Sequence, residues 1–487
     1  MLKKVSCLFF TILIIFSISA CENNKVNLNE LSCYEINAVF NDEDMSLTGD
    51  MNFEYYNNTG KEINNLQFNL FGNAYREDAK IQPVSENYKT IAYPNGNSYG
   101  QIDIKSVTEN DSPLNYSICG CDNNILDVSL SQGIFPSEKV NINIDYVLML
   151  ARVMHRTGYN DKTINLGNFF PILCVNTNEG YYECPYYSSG DPFYSDCANF
   201  NVNLKVKKCY LAATSGECQG VSEEGDYNNY LLSVKGVRDF AMVLSKDFCI
   251  KTENVLNTTI YYYYYDDENA DNSLKVAVES FKLFNEKFGE YPYKTLSVVQ
   301  TGFCFGGMEY PCLTMISDNL TVKQNIETIV HENAHQWWYG LVGNNESLNS
   351  WMDEGLAEFS TVLFFENYEE YEISSKQLLS SAITSYKMYY DIYSQLFGTV
   401  DTSMNRKLNE YSSEYEYVNI AYNKSLLMFD NLRISIGNKK FYNGLNKYFE
   451  AYKYKNAEPE NLIGCFEKIG ADTNEYFNTW IDGKVLI

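Results

Sequence analysis

At about 150 residues per folding unit, 487 residues allow roughly three units. With 45% hydrophobic and 21% charged residues, the composition is that of a globular chain with enough apolar material for real cores. A mean hydropathy of −0.32 excludes a polytopic membrane protein. The 63 Asp and Glu outweigh 37 Lys and Arg for a formal charge of −26, and no basic run occurs, so a nucleic-acid partner is excluded.

Met1-Leu2-Lys3-Lys4 is a short positive segment, and 5–18 is an apolar run too short to span a bilayer, the order of a signal peptide. It ends in Ile18-Ser19-Ala20-Cys21, which is similar to a bacterial lipobox, where cleavage precedes the cysteine and its thiol receives a diacylglycerol. An ordinary signal peptide cut after Ala20 would leave Cys21 a plain residue. The lipobox reading makes 1–20 a signal peptide and tethers the mature chain through Cys21 to the extracytoplasmic face of a bacterial cell membrane, with no transmembrane helix. Besides Cys7 and Cys21 there are twelve cysteines. In an exported chain these are expected as structural disulfides, or as free thiols in an anaerobe, and their connectivity is not readable from sequence.

From about Leu31 to Tyr265 the pattern is strand-like. Short β-rich segments at 51–56, 66–70, 125–130, 140–147, 202–207, 230–234 and 241–244 alternate apolar with polar residues between Gly, Asn and Asp turns. They predict a β-sandwich or saddle over residues 21–266, and the run 261–265 of five tyrosines reads as its last strand, buried on both faces. At Asp271 the period changes. Leu274, Val278, Phe281, Phe284 and Phe288 recur at helical spacing, with Gly289 at the C-cap position. Strands at 296–300 and 313–316 flank a Gly-rich loop. The chain is then mainly helical, with helices predicted near 322–339, 352–367, 374–391, 417–435, 439–452, 458–467 and 473–482. The fold class is therefore α+β, with an all-β domain followed by a second domain over 267–487.

Only three histidines occur, His155, His331 and His335. The last two belong to His331-Glu332-Asn333-Ala334-His335, an HExxH pattern inside a predicted helix. Four residues are about 400° of helix, so both imidazoles lie on one face and can bind one ion. Glu332, offset by about 100°, can reach a water on that ion without being a ligand. A catalytic zinc needs a third protein ligand. Eighteen residues after His335 comes Glu354, in Trp351-Met352-Asp353-Glu354-Gly355-Leu356-Ala357-Glu358. That gap suits a second helix packed on the first, with Asp353 as a rival ligand. Glu358 faces the same side and is either an acceptor that orients His331 or a solvated helix charge. His155 reads as structural.

HExxH, eighteen residues and Glu resembles the gluzincins of the aminopeptidase N family, which includes leukotriene hydrolase, and the family spacing selects Glu354 over Asp353. Gly306-Gly307-Met308-Glu309-Tyr310 is similar to the family's Gly-x-Met-Glu-Asn exopeptidase loop, with Tyr310 in place of Asn. Tyr422-Asn423-Lys424-Ser425 is similar to its Tyr-Glu-Lys-Gly stretch, with Tyr417 and Tyr415 as rivals to Tyr422. Gly190-Asp191-Pro192 lies near its Asp-Glu-Pro position. The resemblance implies a thermolysin-like catalytic domain with a helical C-terminal part and one Zn2+ per chain on His331, His335 and Glu354. Glu332 would take the proton of the attacking water, and Tyr422 would donate to the oxyanion. Glu309 would bind the free α-ammonium of a peptide, while Gly306, Gly307 and Met308 present backbone groups to it. A Gln or Glu of the β-domain, the family's second amine anchor, has no clear counterpart. A disulfide between Cys304 and Cys312, which flank the loop, would stiffen it. The expected function is removal of N-terminal residues from peptides outside the membrane. The alternatives are a same-fold zinc hydrolase with a non-peptide substrate, or a surface-binding lipoprotein without turnover.

Overall fold

The computed structural model describes residues 26–470 and 472–485. The predicted signal peptide and Cys21 lie outside these residues.

The N-terminal part is built on an eight-stranded sheet whose central strands are Tyr227–Val237, Ala198–Lys207, Cys33–Asn41, Ser46–Tyr56, Lys139–Met149 and Gln101–Glu109 in spatial order. Cys33–Asn41 and Ser46–Tyr56 alternate buried and open positions almost without a break, so one face is committed to the core by the two-residue period of a strand. A four-stranded sheet with Ile63–Asn69 and Ile125–Ile134 at its centre contributes to the same core. Between the layers Tyr34 stacks on Phe200 at 4.6 Å and lies 4.5 Å from Phe53. A third sheet, with Thr157–Tyr159, Ile164–Leu166 and Met242–Ser245, faces the second half of the chain.

The second sheet system has five strands in the order Cys249–Val255, Thr258–Tyr264, Thr295–Thr301, Leu313–Ser317 and Gly307–Met308. The middle three are parallel. Thr295–Thr301 and Leu313–Ser317 are buried along nearly their whole length, as strands covered on both faces require. Strand character alone placed Cys249–Val255 and Thr258–Tyr264 with the β-domain, but their hydrogen bonds join them to this sheet. The tyrosine run is also not buried on both faces. Ile260 and Tyr262 point inward, while Tyr261 and Tyr263 are half-buried on the outer face, where Tyr263 packs 5.6 Å from Phe248.

Helix Ala270–Lys287 leads to the helical half. The HExxH helix, Val322–Ala334, opens on a capping box in which Thr321 Oγ1 accepts from the Gln324 amide and Gln324 Oε1 accepts from the Thr321 amide. It stops five residues short of the predicted end, because Trp337, Trp338 and Tyr339 bury into the core and Tyr339 takes φ of 139°. His335 at the C-cap keeps α-helical angles, so the spacing of the two imidazoles survives. Helix Trp351–Asn367 is buried on almost every side. The predicted helix near 417–435 is three pieces: Glu414–Tyr417, a π-helix over Val418–Lys424, and Ser425–Ile436. Among the described residues no helix is long and apolar enough to cross a membrane.

Candidate active site

Three ligand groups converge, His335 and Glu354 buried and His331 partly exposed. His331 Nε2 and His335 Nε2 are 3.1 Å apart, and Glu354 Oε2 is 3.2 Å from the first and 3.3 Å from the second. Glu354 Oε2 is an orphan, buried with no hydrogen-bond partner. Two imidazole nitrogens and one carboxylate oxygen around one point are the donor set of a catalytic zinc, so the residues fit that ion. The ring orientations are fixed from behind. His335 Nδ1 is 3.0 Å from Trp338 O, and His331 Nδ1 is 3.2 Å from Glu358 Oε1. Each contact favours a proton on Nδ1 and leaves the Nε2 lone pair facing the centre. Asp353, the rival ligand, turns the other way and accepts from Asn344 Nδ2 at 3.0 Å.

Glu354 reaches the centre because Gly355 lets two helices touch, since a Cβ there would lie 2.5 Å from Ser425. Asn333 of the motif donates at 3.0 Å to Ser280 Oγ and ties the HExxH helix to Ala270–Lys287.

Glu332 lines a cleft of about 330 Å³ beside His331. Its Oε2 is buried without a partner, and burial, opposed by the two imidazoles, pushes its carboxyl up to about 7. Burial acts on Glu354 in the same sense, yet the imidazoles hold that carboxyl down at about 2. Gly307 sits directly over Glu332, and a Cβ there would stand 2.5 Å from Glu332 Oε1. Gly307 and Met308 pair as an edge strand with Ile316 and Met315, and Gly306 lines the same cleft. Glu309 is 4% exposed, and its Oε1 has no partner. Burial, reinforced by Asp191, raises its carboxyl well above the usual range.

Tyr422 is the tyrosine at the centre. Its hydroxyl donates to Glu354 Oε1, and its ring stacks on His331 at 6.0 Å. Tyr417 also lines the cleft and packs edge-on against Tyr422 at 5.6 Å, with its hydroxyl unpartnered. Tyr415 is 40% exposed and outside the cleft lining.

Other expectations are placed differently. Tyr310 does not shape the cleft. It points into the β-domain, where its hydroxyl donates to Asn168 Oδ1 at 2.6 Å. No disulfide joins Cys304 to Cys312, and the twelve described cysteines are free thiols. The loop is held by side chains instead. Gln336 accepts from the Cys312 amide at 2.7 Å and donates to Tyr310 O at 3.1 Å. Arg156 Nε lies 3.1 Å from Met308 Sδ, while its Nη1 donates to Tyr186 and its Nη2 to Asp191. Arg156 and Gln336 are site residues that the sequence did not single out, and Asp191 was given no role. Only Asp191, in Gly190-Asp191-Pro192, carried a signal. His155 is structural, with its Nδ1 2.6 Å from the Tyr75 hydroxyl.

Residues 272–480 match the Peptidase family M1 domain. Over those residues the chain is similar to the M1 peptidase family. Rice (Oryza sativa subsp. japonica) Aminopeptidase M1-D is 27% identical over 225 residues, 43% of this chain and 25% of that protein. Probable aminopeptidase 2 of Sulfurisphaera tokodaii is 24% identical over 318 residues, 60% of this chain and 39% of its own. The chain thus spans a quarter to two-fifths of these relatives. An M1 zinc metallopeptidase of Deinococcus radiodurans shares the fold over 94% of this chain and 95% of its own, with TM-score 0.63 and 15% identity. A mutant of that protein, with TM-score 0.63 and 14% identity over the same shares, is bound to a Tyr-Ser-Ala substrate.

Proposed function

We propose that this chain is an M1-type zinc-dependent aminopeptidase, exported and held by a lipid on Cys21 at the outer face of a bacterial cell membrane, where it trims peptides with a free N-terminus. The observation that carries the reading is Glu309, a buried carboxylate without a counter-charge, next to an edge strand beside the His-His-Glu centre. A cation is what such a group lacks, and the α-ammonium of a peptide supplies one.

Zinc on His331, His335 and Glu354 would supply Lewis acidity, acidifying a water and polarising the scissile carbonyl. The chain's own groups do the rest. Glu332, which lines the cleft and whose Oε2 has no partner, takes the proton of the attacking water and returns it to the leaving amine. The Tyr422 hydroxyl, parked on Glu354 Oε1 beside the metal-facing Oε2, donates to the oxyanion that develops on the carbonyl. The edge strand Gly307–Met308 offers backbone groups to an extended peptide, and Glu309 fixes the register at the first peptide bond.

The test is hydrolysis of a panel of aminoacyl chromogenic amides and their N-acetylated counterparts. Cleavage of the free-amine set alone supports the aminopeptidase. Cleavage of both sets would make it an endopeptidase and remove Glu309 from amine binding. Zinc bound without cleavage of either would favour a non-peptide substrate or a binding role. For the anchor, lipid labelling of the exported chain should vanish in Cys21→Ala, and persistent labelling would refute it.

A further inference from the structure

The π-helix Val418–Lys424 that carries Tyr422 has α-helix on both sides. A π turn takes one residue more than the flanking register and needs something to favour it. Some support is local. Asn419 Nδ2 donates to Tyr415 O at 2.8 Å, and Ser425 Oγ donates to Tyr422 O at 2.9 Å. The remaining support comes from Lys424. Its side chain is fully buried, and its ammonium donates to Thr402 O and, at 2.8 Å, to Trp480 O. These carbonyls belong to one strap, because Thr402 Oγ1 donates to Gly483 O and the Met404 amide to Ile481 O, each at 2.8 Å.

Neither acceptor is a carboxylate, so this lysine is an expensive way to fill a core. Burial, reinforced by Arg406, pulls its pKa down to about 7, and a methionine would fill the same space without that penalty. Tyr422 needs a definite register. Helix Trp351–Asn367 and the start of Ser425–Ile436 already touch at Gly355, so sliding is blocked and rotation decides where the hydroxyl falls. Slipping one residue to the α register would turn Tyr422 by about 100°, away from Glu354.

We propose that Lys424 is a positioning residue which, by pinning the end of the π-helix to the 402–404 and 480–483 strap, holds the Tyr422 hydroxyl at Glu354. As far as activity is concerned, this rests on the aminopeptidase reading. Lys424→Met in the zinc-loaded full chain is expected to lower kcat about 10²-fold, the worth of one oxyanion donor, with KM and zinc content unchanged. Added to Tyr422→Phe it should cost nothing further, since the hydroxyl it positions is already gone. A kcat at the wild-type level, or losses that multiply in the double variant, would overturn the proposal. If Lys424→Met does not fold, Lys424→Gln, which keeps one donor, is read the same way. A second readout needs no turnover: the 19F resonance of a 3-fluorotyrosine placed at position 422 should move in the Lys424 variants, and an unmoved resonance refutes the proposal. That arm decides even if the wild type cleaves no amide, so the two readings fail separately.

Discussion

Replacing Glu309 by Gln isolates the charge that would bind the substrate's amine while preserving shape. Glu309 is 4% exposed, and its Oε1 has no partner. An ammonium docked there forms a desolvated, hydrogen-bonded charge pair. Truncating one partner of such a pair costs about 2–5 kcal/mol, or roughly 30- to several-thousandfold in kcat/KM at about 1.4 kcal/mol per decade. We expect a loss of about 10²- to 10³-fold on free-amine amides, with the N-acetylated set uncleaved by either form. Stability should move the opposite way. Burial raises the Glu309 carboxyl, so the folded state holds its proton to higher pH than the unfolded chain. That contribution is complete below the unfolded pKa and is lost as pH rises through the folded one. Glu309→Gln removes the loss, so its Tm should exceed that of the wild type at about pH 8 by more than at about pH 5. A kcat/KM for free-amine substrates within about threefold of wild type, when one decade is about 1.4 kcal/mol, would refute the amine-anchor argument whatever the Tm does.

Glu332→Gln should keep stoichiometric zinc by metal analysis while kcat falls about 10³-fold or more, in the range of a lost general base. Gly307→Ala drives a methyl to 2.5 Å from Glu332 Oε1, so kcat should fall about tenfold or more for each 1.4 kcal/mol of misplacement, with the melting curve little changed. Chelation should abolish turnover and lower Tm, because the ion binds only the folded state. Adding Zn2+ should restore both, and activity that survives complete metal removal would exclude the zinc reading.

The sequence made the centre legible where geometry is local. HExxH on a helix places His331 and His335 on one face however the rest folds, and that spacing survived even though the helix ends at Ala334. It left Glu354 and Asp353 as rivals, because which of two adjacent side chains faces inward depends on where Gly355 meets Ser425. The strand-like pattern that runs to Tyr265 covers Cys249–Val255 and Thr258–Tyr264, but local pattern does not say which sheet a strand joins. The π register around Tyr422 has no pattern of its own, and it depends on Lys424 reaching carbonyls at Thr402 and Trp480. Arg156 was invisible for a related reason. Its partners Met308, Tyr186 and Asp191 lie 30 or more residues from it along the chain and meet it only in the fold.

Charge balance links these long-range contacts to the chemistry. Asp191, Glu309, Glu332 and Glu354 lie close enough to shift one another's ionisation, and Glu327, Glu358 and Glu414 line the cleft beside them. Of the fixed cations among the described residues only Arg156 touches any of them, through Asp191. A divalent ion on the His-His-Glu set and Arg156 would together offset three negative charges, fewer than these acids carry if all are ionised. The site stays net negative, and Glu309 has no ion-pair or hydrogen-bond partner on its Oε1. In a low-dielectric cleft an unbalanced charge is strongly unfavourable, so Glu309 stays protonated or draws in a cation. A peptide with a free N-terminus brings one such charge. A blocked peptide brings none and would leave the carboxylate buried and bare. The same charge balance that makes Glu309 a burden to the empty fold would, on the proposed function, make it selective, and it ties that selectivity to Arg156. An Arg156→Met chain would leave Asp191 uncompensated beside Glu309, so the second carboxylate would compete for the same ammonium.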